Sequence, residues 1–118
     1  MKVYNLLENT KQQMRKGVLE LCILSIISDE GEAYPSDIIE RLKESELIVK
    51  QGTMYPLLAR LRGAGLLDYT WKESDAGPPR KYYNLTDTGH EFLNGLMGTW
   101  GSLVEAVTHS TKNLKANK

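Results

Sequence analysis

The sequence predicts a mainly α fold with one small β-hairpin, an α+β class in which a small helical domain is followed by one long helix. Three observations support this prediction. Apolar residues recur at helical spacing through the first half of the chain, a short alternating stretch is followed by turn residues, and large apolar residues recur every three or four positions near the end. A chain of 118 residues has room for a single hydrophobic core.

Composition and cysteine content restrict the class of protein. Hydrophobic residues make up 41% and charged residues 25%, which is typical of soluble globular domains. A single cysteine, Cys22, allows neither an intrachain disulfide nor a cysteine zinc cluster. Because the sequence has no signal-peptide pattern and no apolar stretch of membrane-spanning length, we expect a cytoplasmic protein without a membrane partner.

The sequence also argues against an enzyme. It contains no glycine-rich phosphate loop, no nucleophile elbow and no metal-ligand spacing. His90 and His109 lie nineteen residues apart on one predicted helix, too far apart to bind a metal together. We therefore expect no catalytic residue, no metal and no cofactor.

Charge is distributed unevenly along the chain although the net charge is zero. Residues 47–83 carry six basic and three acidic groups, whereas residues 84–109 carry three acidic groups and no lysine or arginine. A local positive region in an otherwise acidic chain is typical of a phosphate-binding surface.

The first predicted helix runs from about Asn5 to about Ser28, with a capping box at Asn5 or at Thr10. The run from Val18 to Ile27 is apolar on more than one side, which predicts a helix packed on two faces. Cys22 lies within this run, so we expect a small buried thiol in preference to a reactive one.

Two shorter helices follow a break at Gly31. Pro35 is predicted to begin the second helix, which extends to about Glu46. The third helix covers residues 51–65, where Pro56 falls within the first turns and Gly65 is suited to a left-handed C-cap. One side of the third helix is apolar (Met54, Leu57, Leu58, Leu61), which leaves its other side to small, aromatic and cationic residues (Thr53, Tyr55, Pro56, Arg60).

Residues 66–73 alternate between apolar and polar, which predicts a half-buried strand with Leu67, Tyr69 and Trp71 inward. Residues 74–79 have turn chemistry and are too many for a two-residue hairpin loop, so the tip is expected to project. The second strand is predicted over residues 80–85, and of its two tyrosines, Tyr82 and Tyr83, one is expected in the core.

Two short helices followed by a hairpin are typical of a winged helix-turn-helix, which we assign to residues 1–86. The exposed residues of the third helix are expected to contact double-stranded DNA (Thr53, Tyr55, Pro56, Arg60). The hairpin cations are expected to contact phosphate or the minor groove (Lys72, Arg80, Lys81). The alternative is a winged-helix domain that binds another protein and no DNA.

Residues 87–118 are predicted to form a C-terminal dimerisation helix and tail, with Thr86 as N-cap, Gly89 packed closely and the helix ending near Asn113. Its apolar residues recur at heptad spacing, widened by three further positions (Leu93, Leu96, Trp100, Leu103, Val107, with Phe92, Met97 and Val104). A domain this small cannot cover such a seam. We therefore expect a homodimer in which the same helix of a second copy packs on it, with a contribution from the N-terminal helix.

Three motifs resemble those of the PadR family of transcriptional regulators. They are the segment 15–20 in the first helix, the reader-helix segment 52–61 with Tyr55-Pro56-Leu57-Leu58, and the segment 77–89 with Arg80-Lys81-Tyr82-Tyr83 and Leu-Thr-x-x-Gly. The resemblance covers nearly the whole chain. It implies a dimeric repressor, in some cases released by a small molecule. For a dimer of winged helices we expect a pseudo-palindromic operator with the two reader helices about one DNA turn apart.

The single C-terminal helix resembles the small PadR subfamily and, within it, the multidrug-sensing branch. In that branch a tryptophan on this helix stacks flat aromatic effectors across the dimer, and Trp100 matches it, ten residues after His90. Trp100 is thus either an interface residue or a ligand platform. Gly95, Gly98 and Gly101 depart from what is usual for such a helix.

Overall fold

The computed structural model describes residues 2–114, and the mainly α class with one hairpin is confirmed. The elements are α1 (Lys2–Glu30), α2 (Pro35–Glu44), α3 (Gln51–Gly63), β1 (Leu67–Ser74), β2 (Gly77–Leu85) and α4 (Asp87–Ser110). β1 and β2 form an antiparallel two-stranded sheet. Residues 115–118 of the predicted tail lie outside the described residues. Within the described range, none of the helices combines the length and the apolar character that crossing a bilayer requires.

The core lies where the second half of α1, α2, α3 and the base of the hairpin meet. Its fully buried side chains come from the three helices (Ile23, Leu24, Ile27, Ile38, Leu42, Met54, Leu58, Leu61). The first half of α1 extends beyond this core, and its apolar side chains are more than half exposed (Val3, Tyr4, Leu6, Leu7, Met14).

Both predicted capping boxes in α1 are wrong. The helix begins at Lys2, so Asn5 and Thr10 lie within it. The Thr10 hydroxyl donates to the backbone carbonyl of Leu6 at 3.1 Å, a bond that a threonine inside a helix can make. The residues before each box continue the helix, and a cap forms only where the preceding backbone leaves helical geometry.

The start of α2 and Gly65 after α3 agree with the predicted signals, whereas the end of α2 does not. Pro35 occupies the first turn of α2 and is buried. The helix ends at Glu44, and Glu46 just beyond it has a φ of 63°, so the chain turns about two residues earlier than predicted. Gly65 after α3 has a φ of 83°, the left-handed conformation predicted for it, and glycine adopts this conformation without strain.

The hairpin differs from its prediction in two respects. β2 begins at Gly77, which pairs with Ser74, so the loop comprises only the two residues between them and both prolines lie in the strand. The register shifts between Lys72 and Ser74, and an irregularity of this kind accommodates residues that have no N–H for the ladder. Trp71 is 59% exposed and not inward as predicted, because the core extends along β1 only to Tyr69.

The start of α4 is fixed by hydrogen bonds and by a close backbone contact. The Thr86 hydroxyl accepts from the Gly89 N–H at 2.9 Å, as predicted for an N-cap, and donates to the Gly65 carbonyl at 2.6 Å. The Thr86 N–H donates to the Leu66 carbonyl at 3.1 Å. A Cβ on Gly89 would lie 2.1 Å from the Leu66 carbonyl oxygen, so this position requires glycine.

Candidate DNA-binding surface and apolar seam

The predicted contact residues of α3 share its solvent side. Thr53, Tyr55 and Pro56 are exposed, opposite the buried Met54 and Leu58. Tyr55 retains 45% of its surface, a large exposure for an aromatic side chain in the first turns of a helix. The prediction that these residues point away from the core is confirmed, and whether they contact DNA remains a prediction.

Arg60, the fourth predicted residue of α3, is held by α1. Its guanidinium donates to the Glu20 carboxylate at 2.5 Å, and both side chains lie at the surface, with 57% and 22% exposed. The partners lie forty positions apart in the sequence, so no local pattern predicts this ion pair. The positive charge of Arg60 is therefore compensated within the chain.

Arg62 is a basic residue of α3 that the sequence interpretation missed. Its guanidinium carbon lies 4.4 Å from the centre of the Tyr69 ring in β1. This cation–π contact joins the end of α3 to the hairpin and keeps a positive charge at the surface between them. The alternation of β1 indicates that Tyr69 faces the helices, but it does not indicate which cation covers the ring.

The hairpin cations lie against aromatic rings. Arg80 lies 4.8 Å from the Tyr34 ring, and Lys81 lies 4.4 Å from the Tyr69 ring and 5.3 Å from the Trp71 ring. Such contacts orient a cation without neutralising it, because the attraction comes from the ring quadrupole.

Lys72, the third hairpin cation, differs from the other two. It forms an ion pair with Glu32 in the loop before α2, and its ammonium lies 5.0 Å from the Tyr82 ring. Arg80 and Lys81 form no ion pair with the described residues, so they supply the uncompensated charge of the hairpin.

A shallow groove of about 220 Å³ brings α3 and the hairpin together. Its lining combines aromatic, proline and cationic side chains (Tyr34, Pro35, Tyr55, Trp71, Pro79, Arg80, Lys81, Tyr83). Tyr83 is the buried tyrosine of the Tyr82-Tyr83 pair, with 5% exposed, as the alternation predicted. The groove therefore joins a predicted reader residue, Tyr55, to two of the three predicted hairpin cations, Arg80 and Lys81.

The predicted seam of α4 divides into a buried and an exposed part. Leu93 is 9% exposed and belongs to the core of this chain, because it lies close to the helix start. Its contact with a partner stays a prediction. Leu96 is half-buried against the same core. The remaining predicted residues are at least 40% exposed (Phe92, Met97, Trp100, Leu103, Val104, Val107).

Trp100 lies between two grooves formed by α1 and α4. One groove, of about 340 Å³, is almost entirely apolar and includes Met14, Leu21 and Leu103. The other, of about 400 Å³, includes Cys22 and, from α2, polar side chains such as Arg41. Burial raises the pKa of the Cys22 thiol, which keeps it protonated and weakly nucleophilic near neutral pH.

Known structures are similar to this chain over most of its length. A PadR-like transcription factor from Bacteroides fragilis shares 55% sequence identity with a TM-score of 0.73, over 86% of this chain and 97% of its own. A PadR family transcriptional regulator from Eggerthella lenta shares 29% identity with a TM-score of 0.82, over 99% of both chains. A PadR-like transcriptional regulator from Bacillus cereus shares 40% identity with a TM-score of 0.72, over 89% of this chain and 99% of its own.

The sequence model of the transcriptional regulator PadR-like family matches residues 23–95. This match includes α2, α3, the hairpin and the first part of α4, and it therefore covers the surface described above. The matched segment is more than half of the 118 residues. The chain belongs to the PadR-like family of transcriptional regulators, and it is a regulator and not an enzyme.

Proposed function

We propose that this PadR-like regulator is a homodimeric repressor that binds a pseudo-palindromic operator through α3 and the hairpin. The observation that supports DNA binding most directly is the groove that joins Tyr55 of α3 to Arg80 and Lys81 of the hairpin. One helix face and one basic hairpin on a common surface match the two contacts that a winged helix makes with a duplex. A dimer places two such surfaces about 34–36 Å apart along the DNA.

In this proposal α3 enters the major groove and the hairpin follows the backbone. Thr53, Tyr55 and Pro56 contact the DNA from the exposed side of α3, while Arg80 and Lys81 contact phosphate or the minor groove. Arg60 and Lys72 contribute less, because each already has a carboxylate partner in the chain. If either cation binds a phosphate instead, its carboxylate partner is left unpaired, which reduces the gain in binding free energy.

The dimer is supported by apolar surface that this chain leaves exposed. Trp100, Leu103 and Val107 of the exposed seam line one groove with Met14 from the exposed first half of α1. The radius of gyration is 17.1 Å, whereas a compact domain of this length has about 13–14 Å. The excess reflects the parts of α1 and α4 that extend beyond the core, and a second copy would cover both.

A ligand role for Trp100 is the second part of the proposal, with a purely structural role at the dimer interface as its alternative. Grooves lie on both sides of the ring, one almost entirely apolar and one with polar side chains from α2, so there is room for a flat aromatic molecule to stack on Trp100. Tryptophan fluorescence titrated with flat cationic dyes, in the wild type and in Trp100→Ala, separates the roles. A dye signal that is the same in both proteins would exclude stacking on Trp100. Loss of the dimer in the variant would support the interface role.

Binding to the intergenic DNA upstream of its own or a neighbouring gene tests the main proposal. We expect a complex in a gel shift whose stability falls steeply as salt increases, because phosphate contacts release counterions. A panel of aromatic compounds added to the same assay tests release from DNA. A protein that binds no DNA, or binds equally at all salt concentrations, would favour the alternative of a winged-helix domain that binds protein.

A further inference from the structure

A second basic groove borders the surface described above, between the first half of α1 and the start of α3. Its volume is about 460 Å³. Its lining includes three cations and no acidic side chain (Gln12, Arg15, Lys16, Leu19, Ile48, Val49, Lys50, Thr53). The cations are Arg15, Lys16 and Lys50, and all three are exposed.

None of these three cations forms an ion pair with residues 2–114, whereas several others do, including Lys11, Arg41, Arg60 and Lys72. The acidic residue nearest along α1 is Glu20, one turn beyond Lys16, and it is already paired with Arg60. The groove is therefore a concentration of uncompensated positive charge. A groove of this charge suits an anionic ligand.

The backbone at the start of α3 also lacks an acceptor. The N-cap residue is Lys50, whose side chain has no acceptor atom, and no side chain caps the helix. The Lys50 carbonyl accepts from the N–H groups of Thr53 and Met54, both at 3.0 Å. Among the described residues, the N–H groups of Gln51 and Gly52 have no hydrogen-bond acceptor. Nothing lies within 4 Å of where a Cβ on Gly52 would be, so this edge is open to a ligand.

We propose that this groove binds one phosphate of the operator backbone in each protomer. The N–H groups of Gln51 and Gly52 donate to the phosphate oxygens, and Arg15, Lys16 and Lys50 supply the charge. The ligand is DNA because Thr53, on the side of α3 proposed to face the duplex, lines the same groove. The inference rests on the proposed function and adds α1 to the DNA-contacting elements. A phosphate bound here fixes the depth and angle of α3 in the major groove.

The first test removes the charge of α1. The variant Arg15→Ala/Lys16→Ala is compared with the matched control Lys11→Ala/Lys112→Ala, which removes two cations outside the groove. We expect the first variant to lower the slope of log affinity against log salt by about 1.8 per dimer, since each lost phosphate contact removes about 0.9. The loss of affinity should be equal on operator and on random DNA, because phosphates carry no sequence information.

The second test removes one N–H without removing charge. Gln51 is the first residue of α3, where proline is well tolerated, and Lys50 before it has φ −86° and ψ 154°, a conformation compatible with a following proline. Gln51→Pro should therefore fold with the wild-type thermal midpoint. Its dimer should bind DNA at least about 100-fold more weakly, because one charge-assisted hydrogen bond is lost in each of the two protomers.

The outcomes separate this inference from the proposed function. If the wild type binds its operator but both variants bind like it, the phosphate site is wrong and DNA binding by α3 and the hairpin stands. A loss confined to operator DNA would also overturn the site, because it would indicate base contacts. If light scattering shows that Arg15→Ala/Lys16→Ala disrupts the dimer, the DNA affinity of Gln51→Pro decides whether the phosphate site exists. A wild type without salt-dependent DNA binding overturns both proposals.

Discussion

Removing the charge of Arg80 is expected to weaken DNA binding, and the loss of affinity should be larger at lower salt concentration. Arg80 is exposed, has no ion-pair partner among the described residues and lies 4.8 Å from the Tyr34 ring at the edge of the groove shared with Tyr55. Its alanine variant removes one cation from each hairpin and leaves the ring in place. In a dimer on a two-fold site, two phosphate contacts are lost.

The magnitude follows from counterion release. Each phosphate contact contributes about 0.9 to the slope of log affinity against log salt, so two lost contacts lower the slope by about 1.8. If the variant and the wild type bind equally at 1 M salt, the affinity falls about 60-fold at 0.1 M and about 20-fold at 0.2 M. Fluorescence anisotropy with a labelled operator at several salt concentrations measures both quantities.

Two control variants identify the source of the effect. Arg80→Lys keeps the charge and should keep most of the slope. Lys112→Ala removes the same charge two residues beyond the end of α4, a helix about 36 Å long, and should leave DNA binding unchanged. The reasoning is refuted if Arg80→Ala retains the wild-type slope. It is equally refuted if Lys112→Ala lowers the slope as much, because net charge would then explain the loss.

Three further predictions concern stability, assembly and the thiol. Gly89→Ala should lower the free energy of unfolding by about 1–3 kcal/mol in thermal melts, because its Cβ would clash with a backbone carbonyl, whereas Gly98→Ala in open space should raise it by about 0.5–1 kcal/mol. Leu103→Asp should weaken the affinity of the dimer at least about 100-fold, measured by light scattering, while Ser102→Asp, on the side of α4 away from the seam, should not. If both variants dimerise equally well, the proposed seam is wrong. Cys22 should react with a thiol reagent more slowly than a small free thiol at pH 8 and accelerate only at higher pH, because its pKa is raised; an equally fast reaction would contradict its burial.

Local sequence signals predicted the residues at the connections between the secondary-structure elements. Thr86 was predicted as an N-cap and Gly89 as a close contact, and both follow from residue types that suit few other environments. Gly65 was predicted to adopt the left-handed conformation for the same reason. The capping boxes predicted at Asn5 and Thr10 were wrong, because the residues of a capping box can also lie inside a helix that starts earlier.

Contacts between residues far apart in the sequence could not be predicted from local patterns. The alternation of β1 predicts which residues lie on each face of the strand. How far the core extends along β1 depends on the helices packed beneath the strand, and for this reason the exposure of Trp71 was not predicted. Arg60 pairs with Glu20, and Lys72 with Glu32, each across forty positions. Only the folded chain reveals that these predicted DNA contacts already have partners, and that Arg80 and Lys81 do not.

The hydrogen bonds and close contact around Thr86 connect α4, the proposed dimerisation helix, rigidly to the proposed DNA-binding surface. The Thr86 hydroxyl and N–H bond to the carbonyls of Gly65 and Leu66, which connect α3 to β1, and Gly89 packs directly on that connection. A rotation of α4 at the dimer seam cannot be absorbed at its own start, because two hydrogen bonds and a close backbone contact resist it. It would instead move α3 and the hairpin together and change the distance between the two half-site contacts. A molecule stacked on Trp100 would therefore change operator affinity only if it favours one orientation of α4 over another. Equal operator affinity of the ligand-bound and free protein would rule out this coupling.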